Sequence, residues 1–302
     1  MLEYELIALY LYFCECYNSE LRWYNQRFSN NSSPSNEKIT DEELLTIYFY
    51  SRRYENKHLK KEIWDFANRY MRSWFPNLPA YANFNHRLNN LSSAILALVA
   101  RQLEELKEIE NKSINEGVSL VDSLPIMLCS GKRQGKVALE IADKTFNSTK
   151  GFYYFGVKLH FVAFRRAKKL PLPEFISITS ASEFDLTALK PILPKLANRA
   201  IFADKAYADK ALNEQMLKDM NTYIYTPVKL IKGEHESVRQ FKKAADDLFS
   251  TAVSIVRQPI ESLFNFLIEK TKIQNASKVR ATIGLYSHIW GSIATALLFW
   301  MF

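Results

Sequence analysis

Cysteine is scarce: Cys14, Cys16 and Cys129 are the only three among 302 residues. An odd number, with no pattern of a cleavable export signal ahead of it, argues against a disulfide framework and for a reducing cytoplasm. Glycine is scarce too, at 8 residues, and none builds the phosphate loop of a nucleotide-hydrolysing enzyme. The 5 histidines are scattered, and no Cys/His pair has zinc-finger spacing. One long apolar run exists, Ala281 to Phe302, and His288, Ser287, Ser292, Thr295 and two glycines interrupt it. A membrane span and a buried terminal helix both fit such a run; the interruptions favour the helix, and no membrane partner is expected.

What is present is apolar and basic. Hydrophobic residues make up 48% of the chain, enough for one large core and a smaller helical module. The balance of 40 Lys+Arg against 32 Asp+Glu leaves +8, with an isoelectric point near 9.2. That excess favours an extended anionic partner, nucleic acid or an anionic surface.

The period of the apolar residues changes along the chain. Up to about Leu106 it is helical, with a loop by composition at Ser29 to Lys38 and a T-x-x-E capping box at Thr40 and Glu43. Residues 1–110 are expected as an all-α domain, suited to DNA binding, with the junction at Gly117. Residues 117–302 are expected as an α/β domain carrying a basic insertion at about 229–250. Its strands are predicted over Val118–Leu128, Phe152–Phe164, Glu174–Thr179, Arg199–Asp204 and Tyr223–Val228. Alternation in the second marks it as half-buried. Helices are predicted from Asp185, shortened by Pro191 and Pro194, over Lys210–Met220, and around Glu261. Three consecutive strands followed by β/α alternation is the element order of an RNase H-like core. The fold class is therefore α/β: a mixed five-stranded sheet flanked by helices, preceded by an all-α domain.

Three carboxylates stand out in that order. Asp122 falls on the same side of its strand as Leu120 and Leu124, where an ionised group needs a cation beside it. Asp204 ends the apolar strand AIFAD. In this topology the first and fourth strands are parallel neighbours, so the two aspartates come close and repel unless a cation lies between them. Glu261 sits at the edge of a helical stripe of Ile260, Leu263, Phe264 and Leu267. Hard oxygen donors suit Mg²⁺ or Mn²⁺, and two ions at one site activate the attacking oxygen and stabilise the leaving oxygen of a phosphodiester. Each carboxylate also has a local alternative: backbone hydrogen bonds for Asp122, an N-cap for Asp204, an i,i+4 pair with Arg257 for Glu261.

At these residues the sequence resembles the DDE transposases of bacterial insertion sequences, from roughly Ile39 to the C-terminus. VDSLPI looks like the family's first-aspartate strand, YYFGVKLHFV like its second strand, and FADKAYAD like the second-aspartate segment, with Ala206 in a glycine slot. Arg257 and Glu261 match the centre of a Tyr-x₂-Arg-x₃-Glu-x₆-Lys helix, with Ser254 in the tyrosine slot and Ile268 in the lysine slot. ITDEELLTIYFY resembles the family's N-terminal helix. The resemblance implies catalytic and metal-binding roles for Asp122, Asp204 and Glu261. It also implies two divalent ions, terminal inverted repeats and target DNA as double-stranded partners, and a homodimer on DNA. The alternatives are an RNase H-like nuclease without strand transfer and an inactive DNA-binding product of a decayed element.

Basic residues supply candidate DNA contacts. Lys158 and His160 lie on the polar side of the second strand, Lys205 follows Asp204, and Arg257 precedes Glu261. Lys132, Arg133 and Lys136 fall in a loop after the first strand, and Lys229, Lys232, Arg239, Lys242 and Lys243 precede the Glu261 helix. A turn with Arg165, Arg166, Lys168 and Lys169 is a further candidate. Tyr207 is expected as a core aromatic.

Overall fold

The computed structural model describes residues 3–25, 39–131, 137–147, 151–229, 235–277, 279 and 281–302. The chain divides into two compact units, Met1–Leu106 with Phe266–Phe302, and Lys107–Asn265. The division differs from the single junction expected near Gly117, because residues 266–302 group with the N-terminal helices. Periodicity reveals that a helix is buried; it carries no information on which neighbour buries it.

The first unit is helical. Helix α1 (Glu3–Cys16) continues through a π-helical turn, Tyr17–Leu21, into α2 (Arg22–Asn25). Next come α3 (Asp41–Arg53), α4 (Lys60–Tyr70), α5 (Tyr81–Asn90) and most of α6 (Ser92–Ile109). The capping box forms as its sequence predicts: the Thr40 hydroxyl accepts from Glu43 N at 3.2 Å, and the Glu43 carboxylate accepts from Thr40 N at 2.8 Å. The chain's last helix, α10 (Thr282–Met301), is long and apolar enough to cross a membrane by length and composition alone. Here its residues from Ser287 to Leu298 are buried, and it packs on α3 and α5. Helices α3 and α10 are buried on nearly all sides, as central helices are. Gly291 lets them approach, since a Cβ there would meet the Tyr48 hydroxyl at 2.3 Å.

The second unit holds a six-stranded sheet. Its strands are β1 (Ile114–Ser130), β2 (Asp143–Asn147), β3 (Phe152–Arg166), β4 (Leu172–Ser180), β5 (Ala200–Phe202) and β6 (Tyr223–Tyr225). The order is β2-β3-β1-β5-β6, with β4 also pairing β3. Strands β1, β3, β2 and β4 pair antiparallel, whereas β5 runs parallel to β1 and β6 to β5. Five strands match the sequence expectation in kind and order. The sixth, β2, escaped it because DKTFN has neither alternation nor apolar character. Three helices complete the unit: α7 (Asp185–Leu189), α8 (Lys210–Met220) and α9 (Glu236–Thr271), the last crossing into the first unit's residues at Phe266.

One sheet face packs Val121, Val162, Ile201, Ala203 and Ile224 against Leu189, Leu193, Leu196, Tyr207 and Met216. The other face carries α9, whose Phe264 ring lies 5.4 Å from that of Phe161. Strand β3 is therefore covered on both faces, not one. Its apparent polar side misled: Gly156 is buried because Ile126 O lies 2.1 Å from where a Cβ would stand. The region expected as a basic insertion is largely the start of α9, which begins already at Glu236 and carries Pro259 within it.

Candidate active site

Asp122 lies opposite Phe161 in the β1–β3 ladder, with Leu124 opposite Leu159 and Leu120 opposite Ala163. It therefore shares the face covered by α9, with Leu120 and Leu124, as the period of two requires. One carboxylate oxygen accepts from Ser123 N at 2.8 Å and the other from Arg257 Nη1 at 2.6 Å. Burial pushes its pKa up to about 6. Arg257 and the Ser123 amide oppose that rise, and the charges of Asp204 and Asp185 add to it.

Asp204 follows strand β5 by two residues. Val118, Ser119 and Leu120 lie opposite Ala200, Ile201 and Phe202 in parallel register. The pairing ends there, two residues before Asp122 on β1 and two before Asp204 beyond β5, and the charge of Asp204 is one of those that raise the pKa of Asp122. Asp204 caps the turn Lys205–Tyr207, accepting from Ala206 N at 2.7 Å.

Glu261 is joined to this pair through Arg257, whose Nη2 donates to its carboxylate one helical turn away. Arg257 thus bridges Asp122 and Glu261. All three local roles weighed from sequence exist: the backbone bond to Asp122, the cap by Asp204 and the i,i+4 pair of Glu261. Among the described residues, no three His, Cys, Asp or Glu side chains form a ready-made metal cage; the guanidinium lies between two of the three acids. Beside it runs a cleft of about 580 Å³ lined by Lys205, Ser254, Arg257, Gln258 and Glu261, among others.

The family model of the transposase DDE domain matches residues 112–279, a span that opens just before β1 and closes beyond α9, more than half of the chain. The chain belongs to the DDE transposase family. No curated protein and no solved structure matches it. The sheet just described is the transposase's RNase H-like core, the family is one of nucleic-acid-processing enzymes, and DNA is the partner it implies.

Several basic residues of this transposase are placed differently from their sequence expectation. Lys158 and His160 stand opposite Pro125 and Ser123, hence on the sheet face away from Asp122. Lys158 Nζ donates to Asp185 at 3.1 Å and to Glu183 O at 2.8 Å. His160 Nε2 pairs with the Thr179 hydroxyl at 2.7 Å, and its Nδ1 lies 3.8 Å from Asp185. Burial holds His160 down to about 4, with Lys158 adding and Asp185 opposing, so the ring is neutral at pH 7. Arg257, expected to contact DNA, has both terminal nitrogens engaged with carboxylates. The turn after β3 is tied locally: Arg166 donates to Leu170 O at 2.6 Å and Lys169 to Glu110 at 2.7 Å.

Lys205 and Lys229 are exposed, as are Arg239, Lys242 and Lys243 on the first turns of α9. Lys132, Arg133, Lys136 and Lys232 lie outside the described residues.

Sequence reasoning missed Asp185, the acid that holds Lys158. It read only as a helix start, and nothing local announces a partner across the sheet face. Tyr207 is a core aromatic as expected, 1% exposed. Its hydroxyl finds no hydrogen-bond partner among the described residues. Burial raises its pKa well above the usual value, and the charges of Asp185, Asp122 and Asp204 add to that.

Proposed function

We propose that the chain binds the terminal inverted repeats of an insertion sequence and catalyses metal-dependent cleavage of their strands and transfer into target DNA, acting in the cytoplasm as a dimer on DNA. The observation that carries this reading is the parallel β1–β5 pairing. It runs Leu120 beside Phe202, two residues short of Asp122 on one strand and of Asp204 beyond the other, and Glu261 is linked to Asp122 by a single guanidinium.

The donor set fits divalent ions. All three groups are hard oxygens, and Asp122 and Asp204 raise each other's need for a counter-charge, which Arg257 meets only in part. Asp122, Asp204 and Glu261 would hold the ions. Two Mg²⁺ or Mn²⁺ ions there would supply Lewis-acid activation of the attacking oxygen and stabilisation of the leaving one. The chain's own residues prepare that site. Leu120, Leu124 and Phe161 exclude water around Asp122. Arg257 holds Asp122 and Glu261 in register, and exposed Lys205 beside the cleft can neutralise a phosphate.

The test is incubation of the full chain with a labelled end of its element and Mg²⁺, comparing wild type with Asp204→Asn. Wild type should nick the end and join it to target DNA. The variant should do neither while still binding DNA with an affinity that falls steeply with salt. Equal cleavage by both proteins removes Asp204 from the site. Cleavage without joining reduces the activity to that of a nuclease, and binding without cleavage by wild type leaves only a DNA-binding protein.

A further inference from the structure

Away from the carboxylates, the helical unit encloses a cavity of about 450 Å³. His58, Lys60, Lys61 and His288 line it with Asn85, Asn89, Tyr48 and Tyr81, and among the described residues no Asp or Glu does. Behind the Tyr48 ring, 5.2 Å from its centroid, lies the guanidinium of Arg52. Arg52 is 1% exposed. It donates only to neutral groups: Thr295 Oγ1 at 2.9 Å, Ser292 Oγ at 2.7 Å, Thr271 O at 3.1 Å and His58 O at 3.1 Å. Lys60 Nζ likewise donates to neutral acceptors, Asn89 Oδ1 and, at 3.1 Å, Ser287 Oγ. Among the described residues neither cation is paired with a carboxylate. A buried cation without counter-charge costs several kcal/mol, so such a constellation is retained more readily where an anion completes it.

We propose that this cavity binds the phosphate of a nucleotide, either a free nucleotide or the terminal nucleotide of a DNA strand. Lys60 contributes the charge-assisted contact, and Arg52 contributes its field from behind Tyr48. The cavity is roomier than a bare oxyanion needs and falls within the range of small-ligand sites. The rings of Tyr48 and Tyr81 supply aromatic surface to its lining. The Asn85 amide makes no hydrogen bond among the described residues and carries both a donor and an acceptor. His58 Nδ1 is buried and has no hydrogen-bond partner among the described residues. Burial, reinforced by Arg52, draws Lys60 down to about 7 and His58 and His288 to about 4, and no acid opposes any of these shifts. The cavity therefore resists further positive charge, which an anion relieves. The inference stands apart from the cleavage reading, since it uses none of the residues near Asp122.

The test titrates the full-length chain, by calorimetry in metal-free buffer, with inorganic phosphate, dAMP, a 5′-phosphorylated dinucleotide and the same dinucleotide without phosphate. Saturable one-site binding is expected for dAMP or the phosphorylated dinucleotide, and not for the unphosphorylated control. Tighter binding of dAMP identifies a free nucleotide as the source; tighter binding of the phosphorylated dinucleotide identifies a strand end. Lys60→Met should weaken binding roughly 10- to 100-fold while leaving the thermal midpoint unchanged or raised, because it removes an uncompensated cation. Asn85→Leu, which deletes an amide that makes no hydrogen bond among the described residues, should weaken binding with the fold intact and serves if Lys60→Met does not fold. Equal binding with and without the phosphate, no saturable binding of either phosphorylated ligand, or unchanged affinity in the folded variants overturns the proposal.

Discussion

Arg257 Nη1 donates to Asp122 at 2.6 Å across 135 positions of sequence, with both side chains largely buried. The same guanidinium pairs with Glu261, which is half exposed. The two contacts should therefore differ in energy. Arg257→Gln leaves a desolvated carboxylate with a weaker donor and should cost about 1.5–3 kcal/mol. Glu261→Gln should cost less than about 0.5 kcal/mol, as exposed i,i+4 pairs do. Urea denaturation of the two variants checks this, and equal costs would place the main contact of Arg257 at Glu261.

Asp122 gives the fold a pH dependence of definite sign. The folded chain holds this proton up to about pH 6, whereas the group's ordinary value is 3.8. A raised carboxylate contributes stability that is whole below the unfolded value and lost as pH climbs through the folded one. In metal-free buffer that loss, between about pH 4 and pH 6, should be on the order of 3 kcal/mol. Asp122→Asn should abolish it. The measurement is the difference between wild-type and variant stability across pH 4 to 7, which cancels the other titrating groups. A flat difference means that Asp122 titrates normally.

The sequence made some of this architecture legible and hid the rest for identifiable reasons. The capping box at Thr40, the side of β1 on which Asp122 sits, and the span of α8 depend on local spacing, and spacing is visible. The start of α9 was missed because HESVRQFKKAADDLFS reads first as a basic stretch, although Val238, Phe241, Leu248 and Phe249 recur in it at helical spacing and all stay exposed. The partner of Lys158 was hidden because Asp185 meets it 27 positions away, across a sheet face. The grouping of α10 with the N-terminal helices rests on Gly291 and Tyr48, a fit of shapes that no residue period encodes.

Gly156 tests how tightly β1 and β3 are joined beside the site. An added Cβ would stand 2.1 Å from Ile126 O, a backbone atom that cannot move without shifting β1. Gly156→Ala should therefore destabilise the chain by about 1–3 kcal/mol, the range of overpacked cores. Gly151→Ala makes a useful contrast, since its added Cβ meets nothing and only its φ of +68° is strained. Thermal melting of the two variants should show the larger loss for Gly156, and a reversed order would mean that the β1–β3 contact relaxes easily.

Salt dependence can separate the basic residues that touch DNA from those that hold the fold. Each phosphate neutralised by a side chain adds roughly 0.9 to the slope of log affinity against log salt. Lys158 is committed to Asp185 and Glu183 O on the sheet face away from Asp122, so Lys158→Met should leave the slope unchanged and act on stability instead. Arg239 and Lys243 stand exposed on the first turns of α9. Replacing either by Ala should leave stability unchanged and flatten the slope by about one contact. Affinities measured for a duplex carrying the element end, from low to physiological salt, decide between the two groups. A slope that falls with Lys158→Met and holds with Arg239→Ala would put the DNA on the opposite side of the sheet from the carboxylates.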